Sequence, residues 1–108
     1  MTVNELRDSC SFEEICIADG DRQVSGCYIG DLLSWVMGRA QEDNAWITIM
    51  SNINVAAVAS LADVACVILA EGVTLDDEVR NTAMQKGINV LSSPEPIFET
   101  AQKLIGKV

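Results

Sequence analysis

The sequence predicts an α/β domain, a mostly parallel sheet of four to five strands flanked by helices. Three observations carry this. From residue 45 to 107, apolar strand-like runs alternate with amphipathic stretches of helical period, reading β-α-β-α-β-α. The run Ala65-Cys66-Val67-Ile68-Leu69-Ala70 is apolar on both faces, as a central parallel strand must be. The joints between runs are short and carry turn and capping residues, so the strands connect by right-handed crossovers whose helices cover the sheet.

Residues 2–9 read as a short helix with Thr2 as cap, Leu6 inward and Arg7 and Asp8 outward. Phe12 to Ala18 is half-alternating and rich in β-branched residues, which predicts a strand, and Asp19-Gly20-Asp21 is a turn signal. Val24 to Tyr28 reads as a short extended segment. Gly30-Asp31 then opens a helix with Leu32, Leu33, Val36, Met37 and Ala40 on its inner stripe, and Trp35 falls off that stripe.

Trp46 to Met50 is the next strand. Ser51, Asn52 or Asn54 caps a helix facing inward through Val55, Val58, Ala59 and Ala62. After the strand 65–70, Glu71-Gly72-Val73 turns and Thr74 caps a helix whose Asp76, Asp77 and Glu78 suit its positive amino end. Leu75, Val79 and Ala83 face inward, and Gly87 ends this helix. Ile88 to Leu91 is the last strand. Ser93-Pro94 starts a final helix with proline in the tolerated first position, and Ile97, Phe98, Ala101, Leu104 and Ile105 form its stripe before Gly106 closes it.

A chain of 108 residues that is 49% hydrophobic builds one core without disulfides. Sixteen acidic against seven basic residues give a net charge of −9. Such a surface repels phosphate backbones and anionic headgroups, so neither nucleic acid nor a membrane is an expected partner. The opening residues are polar and no apolar run reaches the ~20 residues of a bilayer span, so a cytoplasmic protein is expected. The four cysteines, Cys10, Cys16, Cys27 and Cys66, form no C-x-x-C pair. There is no histidine, and neither a metal site nor any other cofactor is expected.

Without histidine, Ser-His-Asp and Cys-His nucleophiles and a histidine phosphorelay are excluded. Neither G-x-x-x-x-G-K-[ST] nor G-x-G-x-x-G occurs, so micromolar binding of magnesium-ATP and phosphoryl transfer are not expected. The carboxylate pairs Asp19/Asp21 and Asp76/Asp77 read as a turn and a helix start. No nucleophile and base can be assigned to one cleft, so the chain reads as a non-enzyme.

Val24-Ser25-Gly26-Cys27-Tyr28-Ile29-Gly30-Asp31-Leu32-Leu33 resembles the motif region of DRTGG domains. Ile68-Leu69-Ala70-Glu71-Gly72 sits where that family carries Leu-Thr-Gly-Gly, and Leu75 to Leu91 followed by Ser92 to Ala101 matches in order and length. Asp21-Arg22 is followed by Gln23-Val24 rather than Thr-Gly-Gly, and Glu71 stands at a family glycine. The family is similar to the N-terminal, non-kinase domain of HPr kinase/phosphorylase. The resemblance implies that residues 1–108 form one accessory domain, often dimeric, concerned with regulation or assembly. With Trp35 off its stripe, it leads to the expectation of a homodimer or higher oligomer.

In an open parallel sheet, ligands gather beyond the carboxyl ends of the strands. Here those ends are Ser51-Asn52, Glu71-Gly72 and Ser92-Ser93, joined by free helix N–H groups. An uncharged polar or weakly anionic small molecule suits such a rim. The segment Gly26 to Asp31, with Tyr28 between two glycines, is a second candidate expected nearby. The same residues also serve as caps and tight turns. Glu71 lacks the local helical reason that Asp76 and Asp77 have; it either hydrogen-bonds a ligand or pairs with Arg22. Cys27 beside a helix start is either an activated or an inert thiol. The expected function is therefore a non-catalytic regulatory module binding a small ligand or a protein partner. The alternative is a structural subunit of a larger cytosolic enzyme complex.

Overall fold

In a computed structural model describing residues 1–108, the chain begins with helix α1 (Val3–Cys10). Thr2 caps it reciprocally with Glu5: the Glu5 amide donates to Thr2 Oγ1 at 3.1 Å, and the Thr2 amide donates to Glu5 Oε1 at 2.9 Å. There follow β1 (Glu13–Cys16), β2 (Cys27–Ile29), α2 (Leu33–Arg39), β3 (Ala45–Thr48), α3 (Asn54–Ala62), β4 (Cys66–Leu69), α4 (Asp77–Gln85), β5 (Val90–Ser92) and α5 (Ile97–Gln102).

The sheet has spatial order β1-β5-β4-β3-β2. Strands β2 to β5 are parallel, and β1 joins the far edge antiparallel to β5 with an irregularity between Glu14 and Cys16. Each parallel crossover steps one place in the same direction. Right-handed connections therefore place α2, α3 and α4 in one layer. The other face is covered by α1 and α5.

Period-two alternation assigns the strand residues to the two layers. Ala45, Ile47, Cys66, Ile68 and Leu91 pack with Val3, Leu6 and Leu104 on the α1/α5 face. Trp46, Val67, Leu69 and Val90 pack with Val36, Val55, Ala59 and Ala83 on the other. Strands β3 and β4 are buried throughout; for β4 the two-sided apolar run predicted this.

Several local expectations are corrected. Asp31 does not cap α2, because its Oδ1 accepts from Thr48 Oγ1 at 2.8 Å and from the Ile49 amide at 3.0 Å; Leu32 occupies the cap position without a side-chain bond. Asp76, not Thr74, caps α4, accepting from the Val79 amide at 3.0 Å. Ile53 holds the cap position of α3, while Asn52 Oδ1 accepts from the Asn54 amide at 2.9 Å as a local turn. Ser93-Pro94 does not begin α5, whose cap is Pro96. Ser93 Oγ is instead drawn to Thr100 Oγ1 at 2.8 Å, and the Glu95 amide donates to Ser93 Oγ at 3.2 Å. Leu32, Met37, Phe98 and Ile105, expected inside, are exposed.

Candidate functional site

Because β2 to β5 are parallel, their carboxyl ends share one rim. Asp31 follows β2, Ser51 and Asn52 follow β3, Glu71 and Gly72 follow β4, and Ser92 ends β5. The loops are tied laterally: Ala70 donates to Thr48 O at 3.0 Å, Glu71 to Glu95 O at 2.8 Å and Gly72 to Ser93 O at 2.9 Å.

Glu71 is the unusual member. Its φ is 61° and that of Gly72 is 71°, two consecutive left-handed residues. For a non-glycine residue this conformation costs ~1–2 kcal/mol, because Cβ crowds the following carbonyl. A glycine at this position would fit such a turn without strain. Glu71 is exposed, and its carboxylate makes no hydrogen bond or ion pair within the chain. Ser51 and Asn52 are exposed, whereas Ser92 is buried with its hydroxyl donating to Val73 O at 3.3 Å.

Other expected members lie elsewhere. Gly26 stands at the amino end of β2, where its carbonyl accepts from the Ala45 amide at 3.0 Å. Its φ of 77° and the 3.0 Å from an added Cβ to Asn44 Nδ2 explain the glycine. Tyr28 lies mid-strand and leans on the Trp46 layer. Arg22 does not meet Glu71. It pins the opposite edge, with Nη2 3.0 Å from Asp43 Oδ1, 2.9 Å from Asp63 Oδ1 and 2.6 Å from Asp63 O. Parallel pairing separates the two ends of β2, so Gly26 and Asp31 cannot share one loop cluster.

The parallel strand order never reverses, so the rim lacks the crevice that a reversal opens. Two grooves lie away from it. One, about 370 Å³, runs between β2 and α5 and is lined by Cys27, Ile29, Phe98 and Ile105 among others. The second, about 260 Å³, lies between β1 and α4 beside Arg80 and Met84. Phe98 and Ile105 fall on the apolar stripe of the last helix, which in sequence predicts burial, so nothing in the sequence marks the first groove.

Burial raises all four thiols above their ordinary value, Cys27 to about 11 and Cys66 to about 12. Cys27 is exposed as a residue, but its thiol faces the apolar groove. At pH 8 its alkylation by iodoacetamide should run roughly 100-fold slower than that of a small-molecule thiol of ordinary pKa, in proportion to thiolate present; mass spectrometry of timed samples reads this directly. No three histidine, cysteine, aspartate or glutamate side chains converge as metal ligands. No helix is long and apolar enough to cross a membrane.

Comparison with solved structures gives a similar fold in the CBS and DRTGG domains of the regulatory region of Clostridium perfringens pyrophosphatase, complexed with its activator diadenosine tetraphosphate. The TM-score is 0.74 at 16% identity, covering 96% of this chain and 46% of that one. The chain thus spans less than half of that neighbour's length. No curated protein matches it. The DRTGG domain pattern matches residues 20–106, most of the chain and all of the parallel sheet, so this chain belongs to the DRTGG domain family.

Proposed function

We propose that this domain is a non-catalytic regulatory module whose carboxyl rim holds a small polar ligand. The observation that carries the reading is Glu71, an exposed and unpaired carboxylate kept in a left-handed turn that a glycine would occupy without strain. Strain retained at an exposed turn is a pointer to function. Asp31, Asn52 and Gly72 are its neighbours on the rim. The regulatory region of the pyrophosphatase supports the class of role. Four thiols with raised pKa and no histidine leave no activated nucleophile, which supports a binding role over chemistry. We place the domain in the cytoplasm, where its four free thiols stay reduced.

The loops that form the rim, 30–32, 49–53, 70–76 and 93–96, contain no lysine or arginine. Polyphosphates therefore meet carboxylates with no counter-charge in these loops, and an uncharged or weakly anionic ligand is favoured. Titrating the labelled protein with adenosine, AMP, magnesium-ATP and diadenosine tetraphosphate tests this. Saturable amide shifts are expected at Asp31, Asn52, Glu71 and Gly72, with magnesium-ATP failing to bind at micromolar concentration. Shifts confined to the opposite edge, around Asp63 and Gly87, would overturn the placement.

The substitution Glu71→Gly separates strain from binding. Relief of the left-handed penalty, offset by the extra chain entropy of glycine, should raise stability by about 0.5–1 kcal/mol. The same change should weaken a rim ligand at least tenfold, about 1.4 kcal/mol. Glu71→Gln, which keeps the strain, should leave the melting temperature near that of the parent. If Glu71→Gly melts lower than the parent, the turn is not strained as described.

A further inference from the structure

The groove of about 260 Å³ between β1 and α4 carries one cation and one anion, Arg80 from α4 and Glu14 from β1. These two do not pair with each other. Arg7 Nη1 meets Glu14 Oε1 at 2.8 Å, and Arg80 Nη2 meets Asp77 Oδ1 at 3.0 Å. Each charge is thus held by an outer partner that fixes its orientation, as a supporting shell does. Glu14 Oε2 and the Nε and Nη1 groups of Arg80 are left without a partner in the chain. The Asn81 carboxamide, also in the lining, makes no hydrogen bond either. Burial is the main influence on the Cys16 thiol there, but Arg80 and Glu14 also act on it, in opposite directions, so both charges reach one point of the groove.

The backbone is irregular at the same place. Glu14 pairs with Leu91 and Cys16 with Val90, so Ile15 is an extra residue without a partner in the register. Such a bulge leaves the extra residue out of the ladder; bulges gather at sheet edges and beside active sites, where they re-aim a side chain. The rest of the lining is apolar: Ile15 and Ile17 are half-buried and Met84 is 48% exposed.

We propose that this groove binds a small α-amino acid with an aliphatic side chain, held as a zwitterion. Its carboxylate meets the free guanidinium nitrogens of Arg80 and the Asn81 amide. Its ammonium donates to Glu14 Oε2, and its side chain lies against Ile17 and Met84. A cation and an anion that face one groove without pairing match a ligand that carries both charges. A phosphate would meet Arg80 but also the carboxylates of Glu14 and Asp77, and a simple amine would leave Arg80 unmatched. The volume lies below the ~300 Å³ at which drug-sized pockets begin, which restricts the ligand to a small metabolite. The site uses no residue of the Glu71 rim, so it stands or falls separately from the ligand proposed there.

Amide shifts of the labelled full chain test this with L-leucine as the probe. Saturable shifts are expected at Glu14, Ile17, Asn81 and Met84, with a dissociation constant on the order of 1 mM, because exposed ion pairs are individually weak. Isocaproate, which is leucine without its amine, and isoamylamine, which is leucine without its carboxylate, should each bind about fivefold more weakly or worse. Glu14→Gln and, separately, Arg80→Gln should weaken leucine by a similar factor. Both side chains are about half-exposed, so melting of these variants should stay near the parent's. Raising salt from about 50 mM to about 500 mM should weaken binding by screening the two contacts. Glycine should bind less tightly than leucine, and Met84→Ala should narrow that difference by removing the apolar wall. Absence of saturable shifts up to about 50 mM leucine overturns the proposal. So does equal binding of leucine, isocaproate and isoamylamine, or a set of shifts confined to the rim around Asp31, Asn52 and Glu71.

Discussion

Replacing Asn89 by alanine is expected to lower stability by about 3 kcal/mol and the melting temperature by roughly 12–20 °C. Asn89 is the one amide among the largest fully buried side chains, 1% exposed immediately before β5. Its Oδ1 accepts from the amides of Ala18 and Asp19, both at 2.8 Å; its Nδ2 donates to Asp19 O at 2.8 Å and Ala65 O at 2.9 Å. The side chain thus uses every hydrogen-bonding site that an amide offers in this geometry. It fastens the turn after β1 to the amino end of β4. Alanine leaves these backbone groups without partners, and Ala65 is buried where water does not reach it. The cost is the desolvation of unpaired groups rather than a lost contact.

The isosteric Asn89→Asp gives a sharper test. Its carboxylate still accepts from the two amides, but it faces the Asp19 and Ala65 carbonyls without a proton. Burial and those carbonyls favour the protonated form, so the folded-state pKa of the new carboxyl lies above its unfolded value. The sign follows from linkage. The penalty is full above the raised folded pKa, shrinks as pH falls through it, and is smallest below the unfolded value near 4. Urea midpoints at pH 7 and at pH 4, each relative to the parent at the same pH, should converge at the lower pH. A gap that widens on acidification would contradict this account.

Trp46→Ala is expected to cost about 3–5 kcal/mol, a large share of the ~5–15 kcal/mol that holds a domain together. Trp46 is 0% exposed in β3, at the centre of the layer formed by α2, α3 and α4. Removing the indole opens a cavity against Val67 and Val55 that the packed helices cannot fill. Its Nε1 also donates to Gly30 O at 2.9 Å, which holds the chain where it leaves β2 toward Asp31. Trp46→Phe isolates that bond and should cost about 1–2 kcal/mol. Urea unfolding at constant m measures both. Fluorescence assigns the signal, since the chain has two tryptophans and Trp35 is 53% exposed under the Arg39 guanidinium at 3.8 Å. After Trp46→Phe, native emission should already resemble that of solvated indole.

Order and type of the elements were legible from residue 45 onward because their signals are local. The period of apolar residues, the acidic residues Asp76 and Asp77 at the start of α4 and Gly87 after it each act within one turn of chain. The run Ala65–Ala70 specified a doubly buried strand, and β4 is that strand. Helix boundaries were less legible where a side chain has a distant partner. Asp31 and Ser93 look like caps in sequence. Thr48 and Thr100, far along the chain or across a turn, take their oxygens instead.

The sequence by itself determined the α/β class, the parallel strands β3, β4 and β5 and the rim on which Glu71 sits. It also shows that the chain has no histidine, and so no Ser-His-Asp or Cys-His arrangement. The tertiary structure decided the rest. It set the spatial order of the strands and so the absence of a crevice at the rim. It sent Arg22 to Asp43 and Asp63 at the far edge and put Gly26 at the opposite end from Asp31. It left Phe98 and Ile105 outside although the predicted helix puts both on an apolar stripe, and it ended α5 at Gln102, before Ile105. The physical reason is common to all four. Periodicity tells a residue which face of its own element it occupies, but what lies against that face depends on which strand stands at the edge. β2 ends the sheet, so the side chains above it have no neighbour within the chain.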